Sequence, residues 1–175
     1  MARTSVLRNI FGVNKPIIGN IHCLPFPGSP PFARGGMKQA IDQAVEEAHI
    51  MADAGIDGVI IENAGDIPYP RPENIGAESV AALTVIVQEI SREVDLPIGV
   101  ICLANGVLPS IAISAATRSS FIRANIWAHA YVGVEGLMNG AAAEALRYRS
   151  QLQASDVKVF ADVHVKFGAH AITGD

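Results

Sequence analysis

The chain has 175 residues, of which 50% are hydrophobic and 17% are charged. This composition excludes a disordered chain and suits a domain with a buried core. The net charge of −4 argues against nucleic-acid binding, because such a site needs a basic patch to neutralise phosphates. No apolar run reaches the roughly 18 residues that cross a bilayer, and the first residues lack the continuous apolar segment of a signal peptide. We therefore predict a soluble, cytosolic protein with one domain over residues 1–175.

Strand-like and helix-like segments alternate along the chain after a short amphipathic lead-in at residues 6–13. Apolar, β-branched runs predict five strands, at Pro16–His22, Gly58–Asn63, Pro97–Leu103, Phe121–Trp127 and Val157–Lys166. Apolar stripes with helical spacing predict four helices, at Met37–Ala54, Ala77–Glu93, Val107–Thr117 and Ala141–Gln153. The two cysteines, Cys23 and Cys102, fall within or just after strand-like runs, so we expect buried free thiols rather than a disulfide.

Alternation of strands and helices at this spacing predicts βαβ units and a parallel sheet. Long loops follow the first two strands, whereas the connections before the strands are short, which is the pattern of a (β/α)₈ barrel. A doubly wound open sheet is the alternative, but neither GxGxxG nor GxxxxGK[ST] occurs. A closed barrel needs eight strands and about 250 residues, so five strands lead us to expect a truncated barrel.

The last predicted strand contains a polar pattern of its own. Asp162, His164 and Lys166 occupy alternate positions, and alternate strand residues point to the same face. Three ionisable groups on one face are unfavourable unless that face opens into a polar site. The alternative is an edge strand with a solvated face.

Polar residues also end the other predicted strands, at the edge where barrel enzymes place their sites. Glu62 is a candidate general base or metal ligand, Arg123 and Lys166 are candidates to bind phosphate or carboxylate, and His164 is a candidate proton shuttle. The predicted catalytic residues are therefore Glu62, Asp162, His164 and Lys166. The predicted ligand-binding residues are His22, Asn63, Asn105, Arg123 and Asn125. The spacing gives no metal-ligand signature, so we predict no metal site, and no cofactor is identified.

Several of these residues have simpler interpretations. His22 at the end of an apolar strand is more often a core histidine whose hydrogen bonds are satisfied. Arg123 would serve a purely structural role if it paired with Glu62 or Asp162 inside the barrel. Asp66, in the loop after the second strand, has the sequence position of a turn or cap residue.

Four segments together resemble the BtpA family, which is named for a cyanobacterial protein needed for photosystem I biogenesis. They are PIIGNIHCLPFPGSP from Pro16, DGVIIENAGDIPYP from Asp57, LRYR from Leu146 and VKVFADVHVKFGAHAI from Val157. The resemblance implies an α/β fold, a TIM-type barrel of the ribulose-phosphate-binding kind, of which this chain would hold about five βα units.

The chain departs from the family pattern after the third strand. Similar proteins carry a stretch resembling GVNVLRND, whereas this chain has GVICLANG, with Ile101, Ala104 and Gly106 at three polar positions. Only Asn105 is retained. If those positions bind a ligand, part of the site has been lost here.

Two functional hypotheses follow. The family name implies a factor for biogenesis of a membrane protein complex such as photosystem I, associated peripherally with the membrane at its cytoplasmic face. The polar strand ends favour a barrel enzyme or binding protein for a small phosphorylated metabolite. A basic amphipathic stretch would favour membrane attachment, and the only candidate, Thr4–Lys15, is short. We also predict a homo-oligomer.

Overall fold

The structure, a computed structural model, describes residues 5–33 and 36–172. Thr4, where the predicted amphipathic stretch begins, lies outside these ranges, as do Arg34 and Gly35 of the first long loop. The elements in chain order are α1 (Val6–Phe11), β1 (Ile18–His22), α2 (Gly36–Asp53), β2 (Gly58–Glu62), α3 (Ala77–Glu93), β3 (Ile98–Ile101), α4 (Val107–Thr117), β4 (Phe121–Ala124), β5 (Ala130–Gly133), β6 (Gly136–Asn139), α5 (Ala142–Gln151), β7 (Lys158–Ala161) and β8 (Ala169–His170). A 3₁₀ turn, Pro72–Asn74, precedes α3.

The main sheet has five parallel strands in the order β1-β2-β3-β4-β7. The spatial order follows the chain order, without the reversal that defines a doubly wound sheet. Consecutive parallel strands joined by helices are the repeating units of a TIM-type barrel. The predicted α/β fold of about five such units is confirmed.

One face of this sheet packs against the helices. Ile21, Val59 and Ile61 of the strands are fully buried against α2 and α3. The stripe on α2 consists of small side chains, Ala40, Ala44 and Ala48, each 0% exposed, which lets the helix lie close to the strands. Both cysteines are buried in the same core and are free thiols.

The other face of the sheet carries a cluster of aromatic rings from α1, β4 and β7. The ring centroid of Phe121 lies 5.5 Å from that of Phe11 and 4.7 Å from that of Phe160. Two glycines make room for these rings: a Cβ on Gly99 would lie 2.2 Å from Phe121, and one on Gly58 would lie 2.6 Å from Phe11. Phe11 belongs to α1, so the short lead-in helix contributes to this cluster.

The sequence prediction is wrong at two places in the second half. A hairpin, β5 and β6, lies between β4 and α5 where only a loop was predicted, and it forms a second sheet with β8 in the order β6-β5-β8. The last predicted strand ends at Ala161 rather than Lys166, because β4, its neighbour, ends at Ala124. The chain then turns and returns as β8 to pair with β5. Within the described ranges, no helix is long and apolar enough to cross a membrane.

Candidate functional site

A cavity of about 770 Å³ opens at the carboxyl ends of the parallel strands, beneath the β5–β6 hairpin. Most of the residues predicted from the sequence as site residues line this cavity: His22, Glu62, Asn105, Arg123, Asn125, Asp162, His164 and Lys166. Side chains from five different strands or their following loops thus meet in one place. This is the position of the active site in β/α barrels.

Arg123 and Asp162 form the central ion pair of the cavity. Arg123 Nε and Nη2 each donate to one carboxylate oxygen of Asp162 at 2.9 Å, which is a bidentate pair. Nη1 lies 3.7 Å from Glu62 Oε2, and Asn125 Nδ2 donates to Asp162 Oδ2 at 3.2 Å. The hydrogen bond to Asp162 raises the pKa of Arg123 further, so the guanidinium is charged. The pairing required by the structural alternative for Arg123 is therefore present, and the Arg123 and Asp162 side chains also line the cavity.

Glu62 is a buried carboxylate at the end of β2. Asn20 Nδ2 donates to its Oε2 at 3.0 Å and also lies 3.0 Å from His22 Nε2. Within the described residues, both contacts to the Glu62 carboxylate, from Asn20 and Arg123, use Oε2, so Oε1 is the oxygen left for a ligand. His22 is exposed at the cavity edge, and the interpretation as a core histidine is therefore wrong.

Asn63 does not belong to the cavity, which corrects its prediction as a ligand-binding residue. Its side chain is fully buried, accepts a hydrogen bond from the Leu103 N–H at 2.7 Å and donates to Asp66 Oδ2 at 3.3 Å. Strand alternation explains the difference, because Glu62 and Asn63 are consecutive and point to opposite sides.

Asp66 holds three segments together beneath the cavity. Its carboxylate, buried at 4% exposure, accepts hydrogen bonds from the Phe26 N–H and the Ser79 hydroxyl as well as from Asn63. These partners come from the loop after β1, the first turn of α3 and the end of β2. Asp66 is thus more than a local turn residue.

Asn105 lines the cavity, but backbone groups occupy its amide. Its Oδ1 accepts the Ile126 N–H at 2.8 Å, and its Nδ2 donates to the Ile126 carbonyl at 3.2 Å. This pairing ties the loop after β3 to the loop after β4. The geometry therefore gives Asn105 a loop-holding role in place of the predicted ligand contact.

His164 and Lys166 reach the cavity from the turn after β7, so the prediction that they share a strand face with Asp162 is wrong. Both are exposed, and Lys166 Nζ lies 5.5 Å from the centre of the Phe167 ring. Their place on a turn lets them approach a ligand from above, whereas Asp162 lies at the strand end.

Sequence reasoning missed the residues that the hairpin and the second loop contribute. Tyr69 and Tyr131 line the cavity, and the Tyr131 hydroxyl lies 2.7 Å from His170 Nε2. Burial, followed by the charges of Glu62 and Glu135, raises the pKa of Tyr69. The available signal was the short VGVEGLM run, in which Gly133 and Gly136 flank a two-residue turn. Within the described residues, no three His, Cys, Asp or Glu side chains are placed to hold a metal ion.

The described residues form an α/β fold of the partial TIM-barrel type, with a polar cavity at the carboxyl ends of its parallel strands. The BtpA family model matches residues 13–175. The chain belongs to the BtpA family.

Several relatives share this sequence over most of its length. A protein of Pyrococcus abyssi is 40% identical over 157 residues, which are 90% of this chain and 59% of the relative. The Photosystem I biogenesis protein BtpA of Synechocystis is 37% identical over 89% of this chain and 53% of its own length. A mitochondrial protein of Caenorhabditis elegans is 31% identical over 100% of this chain and 65% of its own. The chain thus spans a little over half the length of most of these relatives.

Among solved structures, the N-acetylmannosamine-6-phosphate 2-epimerase of Clostridium perfringens is similar, with a TM-score of 0.49 and 12% identity. The match covers 93% of this chain and 57% of the epimerase.

Proposed function

We propose that this chain forms a small-molecule site of a β/α-barrel enzyme or binding protein that acts on a small phosphorylated metabolite. The observation that carries the proposal is the convergence of Glu62, Arg123 and Asp162 in one cavity at the carboxyl ends of the strands. Burying charged groups beside an open cavity is unfavourable unless they have a use there. If these side chains only filled space, apolar side chains of similar volume would stabilise the fold equally well.

In this proposal Glu62 accepts a proton or a hydrogen bond from the ligand through Oε1. His22 and His164, which both line the cavity, are the candidates to transfer protons. Asp162 acts together with Arg123 as a fixed ion pair that orients the ligand, and Lys166 is the exposed cation on the turn above. These roles correspond to reaction types based on proton transfer.

A thermal-shift screen of this chain and of the Pyrococcus abyssi relative tests the proposal. The compounds are phosphorylated sugars, nucleotides and divalent metal salts. A ligand that binds only the folded state stabilises it by about 2.7 kcal/mol at one hundred times its Kd, which is readily measured. We expect at least one metabolite to raise the melting temperature of both proteins.

Two matched variants locate the binding. Glu62→Gln removes a charge inside the cavity, and Glu46→Gln removes one on the exposed surface of α2. We expect the first to reduce the ligand-induced shift and the second to leave it unchanged. The proposal fails if no compound shifts either protein, or if both variants behave like the parent.

The second candidate function is the biogenesis of a membrane protein complex, by a cytoplasmic homo-oligomer bound peripherally to the membrane. It is favoured by the name of the Synechocystis relative, Photosystem I biogenesis protein BtpA, which is 37% identical. One feature is compatible with partners. Within the described residues, β1 and β7 are the edge strands of the sheet, and edge strands favour association.

Complementation distinguishes the two candidates. This chain and its Glu62→Gln variant would be expressed in Synechocystis lacking its relative, and photosystem I content would be measured. Rescue by both proteins would support an assembly role that does not use the cavity. Rescue by the parent alone would show that the assembly role needs the cavity. Absence of rescue by either protein would count against the assembly role for this chain.

A further inference from the structure

The charge of Arg123 is already balanced by carboxylates of this chain. Asp162 accepts hydrogen bonds from Nε and Nη2 of Arg123 in a bidentate pair, and Glu62 Oε2 lies 3.7 Å from Arg123 Nη1. Two carboxylates therefore flank one guanidinium at the carboxyl ends of the strands. An anionic group brought to Arg123 would meet both carboxylates at short range, where like charges repel strongly.

Two carboxamides stand beside these carboxylates. Asn20 Nδ2 donates to Glu62 Oε2 at 3.0 Å, and Asn125 Nδ2 donates to Asp162 Oδ2 at 3.2 Å. The amide hydrogens of Asn20 are already directed at Glu62 Oε2 and His22 Nε2, so the Asn20–Glu62 pair offers a ligand acceptors. The Asn125–Asp162 pair offers acceptors and the second amide hydrogen of Asn125. A hydroxyl group both donates and accepts, so it satisfies such a pair, whereas a phosphate offers mainly acceptors.

Another part of the cavity lining is apolar. Leu103, Ala104, Ile126, Met138 and Val165 line it, and the altered segment after β3 contributes two of these five. The nearby phenol groups are already bound within the protein: Tyr69 donates to the Ala64 carbonyl at 2.7 Å, and Tyr131 to the Val163 carbonyl at 3.3 Å. The Tyr69 ring, which is partly exposed, adds flat apolar surface that suits a planar group of a ligand, whereas the Tyr131 ring is only 3% exposed.

From these contacts we infer that the cavity binds an uncharged sugar ring carrying a planar apolar group, as in a nucleoside. The sugar hydroxyls lie on the Asn20–Glu62 and Asn125–Asp162 pairs, and the planar group lies against the apolar part of the lining. This inference rests on the proposed function and sharpens it: any phosphate on the ligand points away from Arg123.

Isothermal titration of the chain with adenosine, uridine and their 5′-monophosphates tests the inference. We expect each nucleoside and its monophosphate to bind with Kd values within about threefold. The charge of Arg123 is already balanced, and Lys166, the other cation of the cavity lining, lies on an exposed turn where solvent screens its charge. In Asp162→Asn, Arg123 loses its bidentate counter-ion. The monophosphate should then gain about tenfold over the nucleoside, since the local charge becomes more positive by one unit.

Two further variants make the outcome specific. Glu62→Gln should shift the preference in the same direction by a smaller factor, because its contact with Arg123 is longer. Asp156→Asn removes a carboxylate from the exposed turn before β7 and should not change the ratio. Melting curves of all variants verify that each one folds before its ratio is interpreted.

The results separate this inference from the proposed function. If the parent binds a monophosphate at least about tenfold more tightly than its nucleoside, and Arg123→Gln removes that advantage, the inference is wrong while the proposed function stands. If other phosphorylated metabolites bind in the cavity but no nucleoside does, the inference is wrong and the proposed function still stands. If nothing binds, both are wrong.

Discussion

The inner face of the sheet has two layers, and the same strands supply both. β4 carries Phe121 and, two residues later, Arg123; on β7 Phe160 is followed two residues later by Asp162. Because side chains two apart share a face, each strand contributes one ring to a lower layer and one charge to an upper layer. The lower layer is aromatic, with Phe121 fully buried, whereas the upper layer lines an open cavity.

This contrast indicates that the lower layer mainly stabilises the fold and that the upper layer is available to a ligand. The lower layer buries ring surface and gains contact energy without polar atoms to satisfy. The upper layer contains charges that contribute little to stability when partly exposed but can meet a ligand. Substitutions in the two layers should therefore affect different measurements.

The largest effect on stability is expected from Phe121→Ala in the lower layer. Phe121 is 0% exposed and contacts Phe11, Phe160 and Gly99. Removing a ring of this kind lowers the free energy of unfolding by about 3–5 kcal/mol, as measured by urea denaturation. A loss under about 1 kcal/mol would mean that the ring is not packed as described.

A pH-dependent loss of stability is expected from the two buried thiols. Burial, and for Cys23 the nearby Glu47 and Glu62, raises the pKa of Cys23 from 9.0 to about 12; burial and Asp66 raise that of Cys102 likewise. The folded state thus keeps both thiols neutral, while the unfolded chain ionises above pH 9. Stability should fall between pH 9 and 12, by about 1 kcal/mol per pH unit for each thiol.

The matched control is the Cys23→Ala, Cys102→Ala double variant. Urea denaturation at several pH values should show a shallower fall for this variant than for the parent. Equal slopes would contradict the assignment of the fall to the thiols.

An intermediate effect is expected from Asp66→Ala beneath the cavity. Asp66 accepts three hydrogen bonds while buried, and unsatisfied donors cost about 1–3 kcal/mol. Asp156→Ala, on an exposed turn, should change the unfolding free energy by less than about 0.5 kcal/mol. Similar results for the two variants would show that Asp66 does not hold the loops.

The smallest effect on stability is expected from Asp162→Asn in the upper layer. The Arg123–Asp162 pair is partly exposed, and such pairs contribute about 0–1 kcal/mol. The unfolding free energy should therefore change by less than about 1 kcal/mol. A loss as large as that of Phe121→Ala would place the ion pair among the main stabilising contacts and would remove the contrast between the layers.

Much of the main sheet could be predicted from the sequence, and the second sheet could not. The runs around Ile61 and Val100 are continuous apolar segments between clear helical stripes. Their hydrophobic spacing and their residue composition therefore both predict strands. The stretch after Ala161 alternates like a strand, but strand β4 ends at Ala124 and leaves it no partner. Pairing with a neighbour is a tertiary property that local alternation does not encode.

The candidate site was also predicted only where local sequence pattern was sufficient. Side chains at the carboxyl ends of the strands, such as Glu62 and Arg123, were placed correctly because parallel strands bring their ends together. Asn63 and Asn105 were assigned to the ligand because residue type alone does not reveal a partner. Their backbone hydrogen bonds to the loops around Leu103 and Ile126 appear only when distant segments are folded together.

The most direct test of a ligand site in the upper layer is to follow side-chain amide signals by NMR while the chain is titrated with adenosine. Asn20 and Asn125 lie beside the carboxylates of the cavity, whereas the amides of Asn63 and Asn105 are held by other segments of the chain. We predict that the Asn20 and Asn125 signals move with the ligand and that those of Asn63 and Asn105 remain in place. Movement of Asn63 and Asn105 alone, or of none of the four, would contradict the account.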